Sequence, residues 1–486
     1  MSGPTRPRPT PPKTYSPSVC DICEHVKAEC TCRPELPARQ RNLTDVGNAE
    51  RLVEHLAGDY RWVAPWGQWI AWTGQRWSID TRNTVVERAK EVARNLHLAA
   101  LDLADSSERK TAVKWAMQSE GVARLEAMVK LARSVPGIPV DPDELDQHRN
   151  LLVVNNGTVD LRTGTLGLHR REDLATKLAP VDYDPDAAAP SWVTFLEQIL
   201  PDPDVREFLQ RFAGYCLTGD VTEHVIAFLL GIGANGKTTF LEALTKVMGD
   251  YACQAAPDLL LRRRDDPHPA GLADLKGARL ALASETGEGR HLDEALVKRL
   301  SGGDRIKARQ LYKDWFEFDP THKFVVATNH RPEITGTDQG IWRRIRLIPF
   351  DVTIPAEQQD RQLGAKLADE SAGILEWAVQ GCVAWRQHGL GEPAAVIAAT
   401  ADYRSDMDVL GEFVSEYCVL APSVSARACD LFERYTGWAS DAGETPMTPR
   451  KFGFRMRDLG LTKERRNGIW WTGIGLKTVE QGSNVP

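Results

Sequence analysis

The densest concentration of chemically capable residues in this 486-residue chain is Gly231-Ile-Gly233-Ala234-Asn235-Gly236-Lys237-Thr238-Thr239, a G-x-x-x-x-G-K-T run. Glycines let successive backbone N–H groups turn toward one point, and a helix beginning there adds positive potential, which is what a chain of phosphates needs. Ala234, Asn235 and Thr239 complete the loop. Lys237 supplies an ammonium for the terminal phosphates, and the Thr238 hydroxyl is a ligand for Mg²⁺. A loop of this kind predicts a bound nucleoside triphosphate with Mg²⁺. By itself it does not separate a motor from a small-molecule kinase or a nucleotide-gated switch.

Further residues narrow the chemistry. Arg279-Leu-Ala-Leu-Ala-Ser284-Glu285 is an apolar run ending in a carboxylate, placed to polarise an attacking water or hold the metal. Phe324-Val-Val-Ala-Thr328-Asn329 is another, ending in an amide that can orient water and sense a γ-phosphate. Gly340-Ile-Trp342-Arg343-Arg344 follows, and an arginine here can stabilise a transferring phosphoryl group, in ring motors across a subunit boundary. Lys237, Glu285, Asn329, Arg343 and Arg344 are therefore the catalytic candidates.

These groups require a sheet to carry them. Val225-Ile-Ala-Phe-Leu-Leu230 reads as a strand entering the loop, and Phe240, Leu241, Leu244 and Val247 mark one face of the helix leaving it. Strands that end in functional groups and alternate with helices predict an α/β core. Between the second and third strands, Arg305, Lys307 and Arg309 alternate with small or apolar residues, and Trp315 to Phe318 reads as the returning strand of a hairpin. Its turn would present Tyr312 and Lys313, a stacking ring beside an ammonium, suited to single-stranded DNA. A solvated charged hairpin is the plainer alternative.

Near the C-terminus, Thr448 as N-cap and Pro449 at the first position open a basic amphipathic helix with Arg450, Lys451 and Arg455. Thr462 to Arg466 and Ile469 to Thr472 read as a hairpin turned at Asn467-Gly468, bringing Arg465 and Arg466 beside the helix. Helix plus basic hairpin predicts a winged-helix-like domain that contacts DNA, against a packing domain with a basic surface.

At this point the motor segment Leu280 to Phe350 resembles the superfamily 3 helicase core of the phage, plasmid and poxvirus primase-helicase family. The matching residues are Ser284-Glu285-Thr286, Leu292-Asp-Glu-Ala-Leu296, Ser301-Gly-Gly-Asp304, Pro320-Thr-His-Lys323, Thr328-Asn329-His330 and Trp342-Arg343-Arg344. Asn156-Gly-Thr-Val-Asp160-Leu-Arg162 and Asp182-Tyr-Asp184-Pro185 resemble the helper domain ahead of that motor. The resemblance implies an AAA+ type P-loop ring, usually a hexamer, moving 3′ to 5′ on single-stranded DNA and working with a primase or polymerase. It also implies that the basic hairpin projects into the ring channel. One departure is Ser284, which stands where many members carry a second acid. Another is that the archaeal-type primase domain often found ahead of the helper domain has no room before Asn48.

Remaining features set limits. Four cysteines, Cys20, Cys23, Cys30 and Cys32, fall within thirteen residues and offer either a zinc site or free thiols in a Pro-rich tail. Trp62, Trp66, Trp69, Trp72 and Trp77 read as a domain core in preference to a base-stacking face. The net charge of −7 argues against a uniformly basic nucleic-acid binder and calls for local basic patches. No apolar run is long enough for a bilayer, and the N-terminus lacks a secretory h-region, so the expected place is the cytoplasm. The expected organisation is a tail over 1–44 and a helper α/β domain over 45–190. The ATPase core follows over 191–355, then a helical segment over 356–415 and a winged-helix-like domain over 416–486. The leading reading is an ATP-dependent replicative helicase acting on single-stranded and forked DNA. The competing reading is an initiator or loader that uses ATP as a switch.

Overall fold

The computed structural model describes residues 42–256, 258–262, 269–283, 290–309, 314–334, 339–407, 409–442 and 446–477. The chain forms two compact units, one from 42–58 with 81–139 and one from 59–80 with 140 onward. The first unit is helical: α1 (Asp45–His55), α2 (Thr84–Leu101), α3 (Ser106–Ser119) and α4 (Val122–Ala132). Helices α3 and α4 are separated at Glu120-Gly121, where Gly121 becomes the N-cap of α4. Asn48 is buried in this unit and donates to Ser119 Oγ at 2.9 Å, while Trp115 Nε1 donates to its carbonyl oxygen at 3.2 Å. A buried amide with both ends satisfied costs little to keep.

The second unit opens with an antiparallel sheet of β1 (Tyr60–Val63), β2 (Gln68–Trp72) and β3 (Trp77–Ile79). The tryptophan stripe is largely internal, as expected: Trp69 and Trp77 are buried, and Trp66 and Trp72 pack partly buried around Val63, Ile70 and Trp77. A second antiparallel sheet follows from β4 (Leu151–Val154), β5 (Gly157–Asp160) and β6 (Thr165–Gly167), with the first turn at Asn155-Asn156.

The Pro- and Asp-rich segment 182–190 is part of the core. Tyr183 is buried, its hydroxyl donates to Gly164 O at 2.9 Å, and its N–H donates to Asn156 Oδ1 at 2.9 Å. The β4–β5 residues therefore share one core with α5 (Pro190–Ile199), α6 (Pro203–Leu217) and the helices that follow. The expected division at 190 is thus crossed by a continuous core, and the compact units cut across the expected 45–190 block.

The central sheet consists of β7 (Ile226–Leu230), β8 (Ala252–Gln254), β9 (Leu280–Ala283), β12 (Lys323–Thr328) and β13 (Ile345–Pro349), ordered β13-β7-β12-β9-β8 with every pair parallel. Successive β7 residues alternate between two cores. Ala227 and Leu229 join the one with α7 (Lys237–Met248), while Ile226 and Phe228 join the one with α9 (Glu294–Ser301). That two-residue period makes the sheet the middle layer of three. Between α8 (Pro269–Ala273) with α9 and strand β12, the chain makes a two-stranded hairpin, β10 (Ile306–Arg309) with β11 (Trp315–Phe318).

Two buried cations fasten the starts of neighbouring strands. Arg279, just before β9, donates to Leu217 O at 2.5 Å and Leu151 O at 2.8 Å and stacks on Tyr251. Lys323, opening β12, donates to Thr218 O and to Thr321 O at 3.2 Å. Both thus meet carbonyls at the C-terminal end of α6, the negative end of its dipole. Burial pushes the Lys323 ammonium down to about 7.

After the short helix α10 (Gln339–Trp342) and β13 come α11 (Leu363–Asp369), α12 (Ser371–His388) and α13 (Ala394–Asp406). α12 lies directly on α6, since a Cβ at Gly214 would fall 2.0 Å from Cys382 N. Helices α11 to α13 thus share the cores of the central sheet and are not a separate segment. The C-terminal module has its own core, which starts at Leu410 rather than 416. Its order is α14 (Val409–Tyr417), β14 (Cys418–Arg427), α15 (Ala428–Asp441), α16 (Pro449–Asp458), β15 (Thr462–Arg466) and β16 (Gly468–Leu476), the strands forming an antiparallel β14-β16-β15 sheet. Thr448 caps α16 and Asn467-Gly468 turns the last hairpin, both as expected. No helix among the described residues is long and apolar enough to cross a membrane.

Candidate active site

The glycine loop joins the C-terminal end of β7 to the start of α7, between strands on either side. Gly231 N donates to Thr328 O at 3.3 Å, and Phe350 N donates to Leu230 O at 2.7 Å. Gly231 has no room for a side chain: a Cβ there would lie 2.1 Å from Asn235 Nδ2 and 2.3 Å from Phe350 O. Gly233 (φ +100°), Ala234 (φ +48°) and Gly236 (φ +81°) adopt left-handed conformations, which glycine accepts without strain. That backbone forms the rim of a cavity of about 830 Å³, lined also by Thr238, Thr239 and Asn329 and by Leu282 and Ala283 at the end of β9.

Lys237 is buried at the loop, 5% exposed. Its Nζ donates to Gly231 O at 2.6 Å, Asn235 Oδ1 at 3.1 Å and Asn329 Oδ1 at 3.2 Å. The structure thus brings together two candidates that lie 92 residues apart in sequence, the loop lysine and the strand-end amide. Asn235 behaves differently from a simple loop residue. Its Nδ2 donates to Phe350 O at 3.1 Å while its Oδ1 takes the lysine, so its amide clamps the loop to the exit of β13.

Glu285 and its neighbour Ser284 lie outside the described residues, immediately beyond β9, whose last residues line the cavity. Tyr312 and Lys313 also lie outside them, as do Cys20, Cys23, Cys30 and Cys32.

Arg343 and Arg344 sit at the far end of the sheet. β13 pairs with β7 from Ile345 opposite Ile226 to Pro349 opposite Leu230, and Ile226 N donates to Arg344 O at 2.7 Å. At roughly 3.3 Å per residue, this places them about 16 Å along the strand from the glycine loop. Neither the Arg343 nor the Arg344 side chain is long enough to span that distance to the loop of its own chain. Arg343 is exposed, while Arg344 is half-buried with Nη1 donating to Gly340 O at 2.6 Å.

The β10–β11 hairpin has two unlike faces. Ile306, Ala308 and Phe318 are buried, while Lys307, Arg309 and Trp315 are exposed. Lys307 Nζ lies 5.4 Å and the Arg309 guanidinium 5.9 Å from the Trp315 ring centroid. Trp315 was read only as part of the returning strand, yet it is the exposed aromatic of the described hairpin. In the C-terminal module, Arg450, Lys451, Arg465 and Arg466 are exposed. Arg455 corrects the expectation: it is only 8% exposed, because with Phe452 and Met456 it falls on the buried face of α16 at positions i, i+3 and i+4. Arg457 holds an exposed position, with its guanidinium 5.8 Å from the ring of exposed Phe454.

A second cavity of about 530 Å³ adjoins the loop at Ala234, Gly236 and Thr239, walled by Phe195, Ile354 and Leu363 with Gln198 and Gln358. Sequence patterns do not find it, because its walls come from three distant segments.

Residues 49–201 match the family described as D5 N terminal like, and residues 229–344 match one described as Family of unknown function (DUF5906). A "Putative helicase" of Acanthamoeba polyphaga mimivirus is 30% identical over 329 residues, covering 62% of this chain and 34% of that protein. A "Putative primase" of African swine fever virus (isolate Tick/Malawi/Lil 20-1/1983) is 28% identical over 211 residues, covering 42% of this chain and 22% of that protein. The chain spans about a third or less of the length of these curated relatives. A solved structure of the NrS-1 C terminal region aligns at TM-score 0.47 and 10% identity, covering 88% of this chain and 99% of that one.

Proposed function

The chain belongs to the phage and viral primase-helicase family, and on that premise we propose that it is an ATP-driven DNA helicase of the superfamily 3 kind, built on an AAA+ type core and acting as a ring. The observation that carries this reading is the meeting of Lys237 with Asn329 over a glycine loop at an open cavity, with Arg343 and Arg344 displaced to the opposite end of the same sheet. An ATPase that completed its site within one chain would need its arginine near its own loop. Here the arginines face away, which suits a site finished by a neighbouring subunit, probed by mixing subunits.

The residues present fit Mg²⁺-ATP. Gly231 packs against Asn235 and Phe350 O where a Cβ would clash, the left-handed Gly233 and Gly236 shape the loop at the cavity rim, Lys237 is the buried cation there, and Thr238 is exposed at the cavity edge, where its hydroxyl would serve as a metal ligand. The bound nucleotide supplies the phosphoanhydride bond whose cleavage drives movement, and Mg²⁺ neutralises its charge. Lys237 binds the terminal phosphates, Glu285 takes a proton from water, and Asn329 orients that water. The cavity walled by Phe195, Ile354 and Leu363 accepts the nucleoside.

For DNA, the exposed face of Lys307, Arg309 and Trp315 combines cations with a stacking ring, the chemistry of a single strand, and Tyr312 and Lys313 lie between these two strands in sequence. The C-terminal module is read as winged-helix-like from its α-β-α-α-β-β order. Residues 446–477 carry eight Lys and Arg against two Asp and Glu in a chain of net charge −7, so DNA contact concentrates there through Arg450, Lys451, Arg457, Arg465 and Arg466. The experiment is ATP turnover with and without single-stranded DNA, for the wild type and Lys237→Ala. The reading expects DNA-stimulated turnover that the substitution abolishes. Turnover retained by Lys237→Ala removes the loop from the mechanism.

A further inference from the structure

Helix α13 touches both polar segments of the sheet, and it does so through one side chain. Tyr403 is fully buried. Its hydroxyl donates to the carbonyl of Pro332, three residues beyond Asn329. Its ring stands edge-on to Trp342, with 5.2 Å between centroids and 83° between planes, and Trp342 directly precedes Arg343. The Arg331 guanidinium lies 5.8 Å from the centroid of the same ring and pairs with Asp406 at the end of α13. Thr400 Oγ1, one turn earlier, accepts from Leu347 N at 3.0 Å and so fastens the helix to the outer edge of β13.

The segment after Asn329 is tied in a second direction. Leu292 N donates to Glu333 O at 2.9 Å, and Glu333 N donates to Arg290 O at 2.8 Å, so it is bonded to the segment 290–292 ahead of α9. A displacement of either segment therefore reaches Pro332. The ring pair cannot absorb it, because close-packed side chains have almost no spare volume. Pro332 is hydrogen-bonded to Tyr403, and Tyr403 packs edge-on against Trp342.

We propose that Tyr403 is a positioning residue that links the segment beyond Asn329 to the segment bearing Arg343, so that the nucleotide on one subunit sets the arginine offered to the next. This rests on the ring ATPase reading above. The parallel register gives the linkage its direction: Asn329 faces this chain's own loop, and Arg343 lies at the opposite end of the sheet. The residue is neither at the nucleotide nor on DNA, and its effect is confined to communication between sites.

The test is the ATP dependence of turnover by the full chain, with Tyr403→Phe compared to the wild type. The variant loses only the hydroxyl and keeps the ring against Trp342. The wild type should give a sigmoidal curve, and Tyr403→Phe a hyperbolic one with a Hill coefficient of about 1, while binding of a non-hydrolysable ATP analogue stays within about twofold. A purely structural role would not separate these readouts. Arg331→Gln removes the cation over the ring and the Asp406 pair but leaves the hydroxyl, and should lower the Hill coefficient in the same direction. If Tyr403→Phe shows no cooperative thermal transition, Arg331→Gln decides alone. A variant curve as steep as the wild type overturns the linkage, and so does a hyperbolic wild-type curve. A wild type without ATP turnover counts instead against the proposed function.

Discussion

Replacing Asn329 should move affinity and turnover in opposite directions. The Lys237 ammonium has three protons, and the structure supplies Gly231 O, Asn235 Oδ1 and Asn329 Oδ1 as acceptors at 2.6, 3.1 and 3.2 Å. A terminal phosphate must take one of those protons, and the longest of the three bonds, to Asn329, is the one most easily given up. A hydrogen bond to a charged donor contributes about 1.5–3 kcal/mol net, and at 3.2 Å the lower end applies. Asn329→Ala relieves the nucleotide of that competition, so its affinity should hold or tighten by up to about tenfold. Turnover should nonetheless fall by about 100-fold or more, because the water loses its orienting amide. Asn329→Asp does the reverse to binding. It sets a carboxylate against the buried ammonium, an attraction of a few kcal/mol at the effective dielectric of such sites, and affinity should drop by about tenfold or more. A fluorescent ATP analogue titrated into each variant gives the affinity, and phosphate release gives the turnover. If Asn329→Ala loses affinity in step with turnover, the amide holds nucleotide directly and the competition for Lys237 is not real.

Glu285→Gln should bind ATP as tightly as the wild type and turn it over at least about 100-fold more slowly, read by the same two assays. Undiminished turnover would move the general base elsewhere. Arg343→Ala should cut turnover without lowering the thermal midpoint, since Arg343 is exposed, whereas Arg344→Ala should also lower the midpoint because Nη1 of Arg344 holds Gly340 O. Mixing Arg343→Ala with Lys237→Ala subunits should restore part of the activity; no recovery in verified mixed rings argues against an arginine acting in trans. For Lys323, burial lowers the ammonium from an ordinary 10.5 to about 7. Between those values the unfolded chain binds the extra proton, so folding stability gains a positive slope with pH, and denaturant titrations of Lys323→Met should lack that slope. Equal slopes in the two proteins would mean that Lys323 stays charged in the fold.

Much of the central sheet, its loop and the C-terminal module was legible because their signals are local. Val225 to Leu230 before a glycine loop, alternation at Lys307 and Arg309, and Thr448-Pro449 with Asn467-Gly468 each state an element within a few residues. What escaped depends on distance or on both faces of a helix at once. The link 182–190 looks like a boundary by its Pro and Asp content, yet Tyr183 ties it to Gly164 and Asn156. Arg455 carries the same charge as Arg457, and only the rotation of α16 buries one and exposes the other. Arg279 and Lys323 read as ordinary strand-flanking cations, and their acceptors on α6 lie 62 and 105 residues away. Tyr403 sits in a helix whose apolar residues mark no single face, so no pattern distinguishes it. Glu285 remains a reading of the sequence, supported by the placement of β9 beside the cavity.

The central claim, ATP-driven strand separation, is tested most directly by displacement of a labelled strand from forked DNA by the purified chain with Mg²⁺-ATP, measured beside its ATP turnover on the same substrate. The account predicts displacement by the wild type, and none by a Tyr312→Ala, Lys313→Ala double variant that still hydrolyses ATP at the DNA-free rate. A wild type that binds forked DNA and hydrolyses ATP yet separates no strands would contradict it and leave the ATP-switched initiator or loader as the function.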